Sequence, residues 1–315
     1  MNAIRRVAAA LPDAEIADAQ AALELTTAAP LPRLISAAVV EGSTLTARRL
    51  ADPPTVGIAA FLDGVQQSQI VAHLPGGVPI VLGTVAAVIR ERRTARMCTW
   101  SHAVERRLYV SRAHVSPRSW QHLAAADLEL HDTGDADASS GAEHPLALRE
   151  SAVHRVQAHR ESIEQRLARA WIESEDRPLL VDGGIASVES VPETSHAIGM
   201  IKSHRTMYAT GAALTTVLAL GLGERSSAFL VTSPKRATVC SWYLRLRASP
   251  SSDPMWGLVR VEVPASAAGA DVGPRADEVS RWILAEAAPV SLPDRRWDTM
   301  LYGVRDCEQF LRAVM

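Results

Sequence analysis

The chain reads as a mixed α/β sheet flanked by helices, preceded by an N-terminal helical segment. Three observations carry that reading. Strand-like runs come first as a meander and only later mix with helical ones. One long stretch, Leu146–Ser174, repeats its apolar residues at the spacing of an amphipathic helix. Two short apolar runs, Ile58–Leu62 and Leu179–Val181, each end in Asp-Gly, as buried strands do when they deliver a carboxylate beside a close backbone approach.

Taken in order, residues 1–50 form the N-terminal segment and residues 51–315 the main domain. From Asn2 to Thr27 the chain is Ala-rich and broken at Pro12-Asp13, which predicts two short helices. Pro30–Pro32 and Asp52-Pro53-Pro54 punctuate the approach to the main domain. Val56–Leu62, Gln69–Leu74 and Val78–Ile89 suit an antiparallel meander with Asp63-Gly64 and Gly76-Gly77 near its turns, and Arg106–Val110 adds a strand. The acidic, Ala-, Gly- and Ser-rich stretch of about 124–144 reads as a surface loop. In the long helix Val153, Val156, Ile163, Leu167 and Ala170 mark the buried face.

A strand ending at Asp182 comes next, then a polar loop to about His196, the strand Ala197–Ile201 and a helix from about Arg205. Ala228–Thr232, Ser241–Leu246 and Leu258–Val263 are strands; Pro264–Pro274 is a loop; Arg275–Ala287 and Tyr302–Val314 are helices. No internal repeat interrupts this order.

Composition narrows the function. A chain of 315 residues can bury one large core or two modest ones, and 47% hydrophobic with 22% charged residues describes a folded globular protein. A net charge of −2 exerts no global pull on nucleic acid or anionic lipid, so a nucleic-acid surface has to be a local patch. Cys98, Cys240 and Cys307 are odd in number and form no C-x-x-C, which argues against a zinc site or disulfide framework and suits a reducing cytoplasm. The break at Pro12-Asp13 comes too early for a signal peptide, and Ala209–Leu222 falls short of the ~20 residues of a membrane span. That run is expected to be a buried helix, and no membrane association is expected. No G-x-x-x-x-G-K-[ST], G-x-S-x-G or H-E-x-x-H is present.

The two Asp-Gly steps carry the chemical interest. Strands far apart in sequence can lie side by side, and two carboxylates brought together repel unless a cation sits between them; an all-oxygen site suits Mg²⁺ or Mn²⁺. Asp-Gly is also a common hairpin turn, so at Asp63 and at Asp182 turn and site both stand as readings. A third carboxylate can come from the long helix, where Glu150, Glu161 and Glu164 share one stripe beside the apolar face. Glu164 is the first choice and Glu150 the second. The bland reading is a solvated face, but Gln165 and Ala168, one turn ahead of Glu161 and Glu164, offer no counter-charge.

Lys202 ends the strand after Asp182. It and Lys235 are the only lysines among 33 basic residues, so a compact ammonium is a deliberate choice or a chance survival. Beside carboxylates it could hold a scissile phosphate. His204 and Tyr208 come after it as further substrate contacts, although a lone histidine is more often structural. Arg90-Glu91-Arg92-Arg93 and Arg295-Arg296 offer local positive charge for a nucleic-acid backbone.

In this order the motifs resemble the NurA nucleases. Phe61-Leu62-Asp63-Gly64-Val65 is similar to their first metal-binding motif, Leu179-Leu180-Val181-Asp182-Gly183-Gly184 to their second Asp-Gly motif, and Gly199-Met200-Ile201-Lys202 to their Gly-x-x-Lys segment. Tyr243–Leu246 and Val259–Glu262 echo their late strands. Val65 stands where a serine is usual, and Trp297–Glu308 lacks the histidine common near their end.

The resemblance spans about Val56 to the C-terminus. It implies an RNase H-like fold over 51–315, a Mn²⁺- or Mg²⁺-dependent nuclease acting on DNA in end processing or anti-phage defence, a homodimer, and a HerA-type hexameric ATPase as partner. Asp63, Asp182 and Glu164 or Glu150 would hold the metal, and Lys202 would orient phosphate. The alternative is a non-catalytic RNase H-like adaptor that docks on a motor ATPase and guides DNA.

Overall fold

A computed structural model describes the chain except for residues 1–2, 12–13, 17–30, 95, 126–127, 135–143, 186–195, 234–235, 249–252, 267–271 and 288–298. The second predicted N-terminal helix falls largely outside the described residues, as do Lys235 and Arg295-Arg296. The first is α1 (Ala3–Ala10). The described segments after it are extended rather than helical: β1 (Glu15–Ile16), β2 (Arg33–Leu34), β3 (Ala38–Val39) and β4 (Ala47–Arg49).

The meander is present with longer strands than the sequence suggests: β5 (Ala60–Leu74), β6 (Val78–Arg93) and β7 (Arg96–Val110). Gly76 and Gly77, both at positive φ, form the β5–β6 turn. Asp63-Gly64 is no turn. It lies inside β5, where Asp63 pairs with Val88 and the ladder runs on to Ser68 opposite Gly83. The segment Val65-Gln66-Gln67-Ser68 has little strand character alone, but the apolar β6 beside it holds it extended.

After α2 (Pro117–Ala124) comes β8 (Glu129–Asp132), which pairs in parallel with β7. Part of the expected acidic loop is therefore an edge strand, exposed at both ends and partly covered at Leu130 and His131. Next are α3 (Pro145–Ser174), β9 (Leu179–Asp182), β10 (Ala197–Ile201) and β11 (Thr206–Met207). The helix expected from about Arg205 begins later, as α4 (Gly211–Leu218), and only Val217 within it is fully buried; it lies at the surface, against expectation. The chain ends with β12 (Glu224–Ser226), β13 (Phe229–Ser233), β14 (Arg236–Arg245), β15 (Leu258–Pro264), α5 (Val272–Ala287) and α6 (Tyr302–Val314).

One mixed sheet takes in thirteen of these strands, in the order β3-β13-β14-β15-β10-β9-β5-β6-β7-β8, with β1, β4 and β12 as side branches; β2 and β11 pair separately. β5, β9 and β10 are mutually parallel at its centre, which is why β9 and β10 are nearly all apolar: both faces are covered. On one face α3 packs Val153, Val156, Ile163 and Trp171 against Leu62, Val85 and Ala87. On the other, α5 and α6 pack Val279, Ile283, Val304 and Leu311 against Phe61, Val88, Leu180 and Met200. Helix α1 closes the far end of the meander over Val71, Ile80 and Leu108. No helix among the described residues is long and apolar enough to cross a membrane.

The placement of α6 depends on Gly303. A Cβ there would lie 2.2 Å from the ring of Phe61, which is itself fully buried and has no room to yield. The helix thereby comes close enough for Cys307 Sγ to donate to the Phe61 carbonyl at 3.3 Å. Replacing Gly303 by valine should cost about 1–3 kcal/mol of stability through overpacking. Urea titration would show it, and an unchanged midpoint would mean that α6 does not sit against Phe61.

Candidate functional site

The register of the central strands builds the site. Leu62 stands beside Val181 across the parallel β5–β9 pair, so Asp63 and Asp182 occupy the next rung and project to the same side. Met200 of β10 pairs with Asp182, which puts Lys202, two residues on, beyond the strand end on that side as well. Lys202 Nζ donates to Asp182 Oδ2 at 2.9 Å. Gly64 N donates to Asp63 Oδ1 at 2.8 Å. The site thus lies where β9 and β10 stop and β5 runs on.

A cleft of about 910 Å³ opens over this point, lined by Asp63, Asp182, Lys202, Arg160, Glu308 and Arg312 among others. A second hollow of about 310 Å³ adjoins it, with Arg160, Asp182 and the Gly183-Gly184 backbone in both walls, and adds Glu164, Arg236 and Arg260. The loop between them is pinned from β15, where buried Glu262 accepts from Ile185 N at 3.0 Å and from the Arg260 guanidinium at 2.6 Å.

Glu164 arrives from α3, on the opposite face of the sheet. It reaches the strands because position 64 has no side chain: a Cβ there would lie 2.2 Å from Glu164 Oε1. The carboxylate also accepts from Arg160 at 2.6 Å, and Arg160 Nε donates to Gln66 Oε1 at 3.1 Å. The counter-charge of Glu164 lies one turn behind it on the helix rather than one turn ahead, where the sequence offers only Ala168.

Crowding of acids shows in their protonation. Asp63 is only 7% exposed; burial first, then the charges of Asp182, Glu164 and Glu308, push its carboxyl up to about 8, with Lys202 opposing. Burial likewise lifts Glu164 to about 7 against the pull of Arg160. Both carboxyls resist ionising where they stand, and a bound cation would relieve that resistance.

Four of the sequence-selected residues are therefore brought together: Asp63, Asp182, Glu164 and Lys202. Three are not. Glu150 is exposed near the start of α3, fourteen residues or about 21 Å along the helix from Glu164. A shared stripe gave the right azimuth but not the right height. His204 donates from Nε2 to the Leu258 carbonyl at 2.7 Å, packs beside Tyr243, and does not line the cleft. Burial lowers its pKa and keeps it neutral, a structural histidine. Tyr208 also lies outside both hollows, its ring under the Arg260 guanidinium and near Phe229.

Sequence reasoning missed Arg160, Glu308 and Arg312. The last two sit one turn apart on α6, and Glu308 follows core residue Cys307 at the edge of the apolar face. That border position was the available signal, the same one that singled out Glu164.

The donor set fits a hard divalent ion, since Asp63, Asp182 and Glu164 offer only oxygen. Among the described residues, however, no three such side chains stand ready as a coordination shell. Asp182 is engaged by Lys202 and Glu164 by Arg160. Ion binding at this site requires those cations to share or release their carboxylates.

The raised carboxyl of Asp63 fixes the sign of a pH effect. Its folded value near 8 exceeds the ordinary 3.8, so between about pH 4 and 8 the folded chain holds more protons than the unfolded one. Stability in EDTA should fall as pH rises through that window, and Asp63→Asn should flatten the fall. Melting curves at pH 5, 6.5 and 8 test this; equal slopes for both proteins would show that Asp63 ionises normally.

No protein-family model matches the chain, and no curated protein matches it in sequence. Among solved structures it is similar to the NurA nuclease from Sulfolobus solfataricus, at 9% identity and a TM-score of 0.48 over 88% of this chain and 81% of that one. Likeness at this level leaves the roles of the residues to the geometry of this chain.

Proposed function

We propose that the protein is a divalent-metal-dependent nuclease cutting DNA, with Asp63, Asp182 and Glu164 as metal ligands and Lys202 as the phosphate-orienting group. The observation that carries this reading is the convergence of residues from separate motifs. Asp63, Asp182 and Lys202 come from three neighbouring strands and Glu164 from a helix on the other face, and all meet around adjoining clefts.

When bound, Mn²⁺ or Mg²⁺ supplies Lewis-acid stabilisation of the leaving oxygen and a nucleophilic water. The residues of the chain do the rest. Ionised Asp63 and Asp182 hold charge on one rung of the sheet, while Lys202 and Arg312 line the cleft through which a phosphate backbone would pass. Lys202 places a compact ammonium beside Asp182, where a scissile phosphate would meet it. In keeping with the NurA-like order of motifs, we assign the chain a homodimeric state and a HerA-type hexameric ATPase as partner, in DNA end processing or anti-phage defence.

Asp63→Asn and Asp182→Asn should each abolish cleavage of plasmid and single-stranded DNA in Mn²⁺ while leaving the fold intact, because each keeps shape and deletes charge. Calorimetry should show weaker Mn²⁺ binding in both. Full activity in either variant would overturn the metal assignment. A wild-type chain that binds DNA and a motor ATPase but never cuts would instead be the adaptor.

Lys202→Arg should slow cleavage about 10²-fold, since a planar fork displaces the phosphate that an ammonium orients. DNA affinity, summed over many contacts, should change little. Glu164→Gln should be far more damaging than Glu150→Gln, given where α3 places them. Wild-type rates in Lys202→Arg, or a reversed order of the two glutamates, would remove those residues from the site.

A further inference from the structure

Arg160 belongs to none of the motifs, yet it occupies the most consequential position around the clefts. It lies in the walls of both. Its guanidinium donates to Glu164 Oε1 at 2.6 Å and to Gln66 Oε1 at 3.1 Å, so it bridges α3 to the part of β5 just past Asp63. Its side chain is 23% exposed and that of Glu164 15%, so the pair faces the cleft rather than the core. A carboxylate oxygen held by a guanidinium is less available to a divalent ion, because both cations draw on the same charge.

We infer that Arg160 has two roles in the proposed nuclease: it competes with the divalent ion for Glu164, and it is the guanidinium that grips substrate phosphate in the cleft. The inference rests on the nuclease reading and extends it. Two features make the exchange feasible. Arg160 and Glu164 are one helical turn apart on the same helix, so the guanidinium can leave the carboxylate by side-chain rotation with no backbone movement. Its other partners hold it loosely: Gln66 is neutral and half-buried, and the largely solvated Glu161 carboxylate stands 3.8 Å from the guanidinium.

Arginine also suits the second role. Its planar fork matches two phosphate oxygens, whereas Lys202, in the same cleft wall and paired with Asp182, offers only a point charge. Together they would flank the phosphate, Lys202 from the end of β10 and Arg160 from α3.

The two roles move two measurements in opposite directions. Arg160→Gln should bind Mn²⁺ about five- to tenfold more tightly by calorimetry, because Glu164 loses its competitor. The same variant should cleave DNA about 10²-fold more slowly at saturating Mn²⁺, because a phosphate contact is lost. A purely structural arginine would behave differently: its loss would misplace Glu164, weaken Mn²⁺ binding and lower the melting temperature. Arg160→Lys, which keeps the charge and is the safer variant for folding, should hold Mn²⁺ near the wild-type affinity yet still cleave slowly.

Weaker or unchanged Mn²⁺ binding in Arg160→Gln overturns the competition, and wild-type cleavage in both variants overturns the phosphate contact. Failure of the wild-type protein itself to bind Mn²⁺ and to cut would be the failure of the nuclease reading, and is distinct from either outcome.

Discussion

The central constraint is the parallel alignment of β5 with β9, which sets Asp63 and Asp182 on one rung at the end of a buried ladder. Nothing else in the fold tolerates that rung without compensation. Carboxylates under a covering helix cannot all ionise freely, and Asp63 responds by holding its proton to about pH 8. The neighbouring features read as answers to that repulsion. Lys202 closes on Asp182, Arg160 closes on Glu164, and Gly64 leaves the space through which Glu164 reaches the strand. Removing any one shifts charge onto the others.

The scaffold that holds this rung is apolar and covered on both faces. Phe61 and Leu180 point toward α5 and α6, Leu62 and Val181 toward α3, so the strands cannot slip by one residue without turning both layers inside out. A structure of that kind holds Asp63 and Asp182 close together although burial and their mutual charge oppose ionisation of Asp63. Sites that do chemistry commonly combine those properties, a rigid support and a locally unfavourable electrostatic arrangement. Here the unfavourable term is confined to the strand ends, where the sheet opens to solvent.

Two structural surprises have a common cause. Asp63-Gly64 has the local chemistry of a turn but lies within a strand of fifteen residues, and the stretch around 129–132 has the composition of a loop but pairs with β7. In both cases a strongly strand-forming neighbour supplies hydrogen bonds that the segment would not secure alone. The opposite happened at Ala209–Leu222, where an apolar run became a short surface helix that joins the core shared with α3 chiefly through Val217, with Ala209 and Leu220 buried at its flanks.

By itself the sequence determined the class of fold and the order of most elements, and it singled out Asp63, Asp182 and Lys202 as candidates because strand ends, Asp-Gly steps and a scarce lysine are local features; that Asp63-Gly64 is no turn was decided by strand pairing. Periodicity also placed Glu164 and Glu150 on one stripe, but angle around a helix says nothing about height along it against a sheet, and only packing chose Glu164. Glu308, Arg312 and Arg160 became visible only in three dimensions. The first two depend on how closely α6 approaches Phe61 at Gly303, and the third on a partner one turn behind rather than ahead. Local patterns specify which residues a strand or helix can present; which of them meet is decided by the contacts between elements, and those are set by the shape of the whole core.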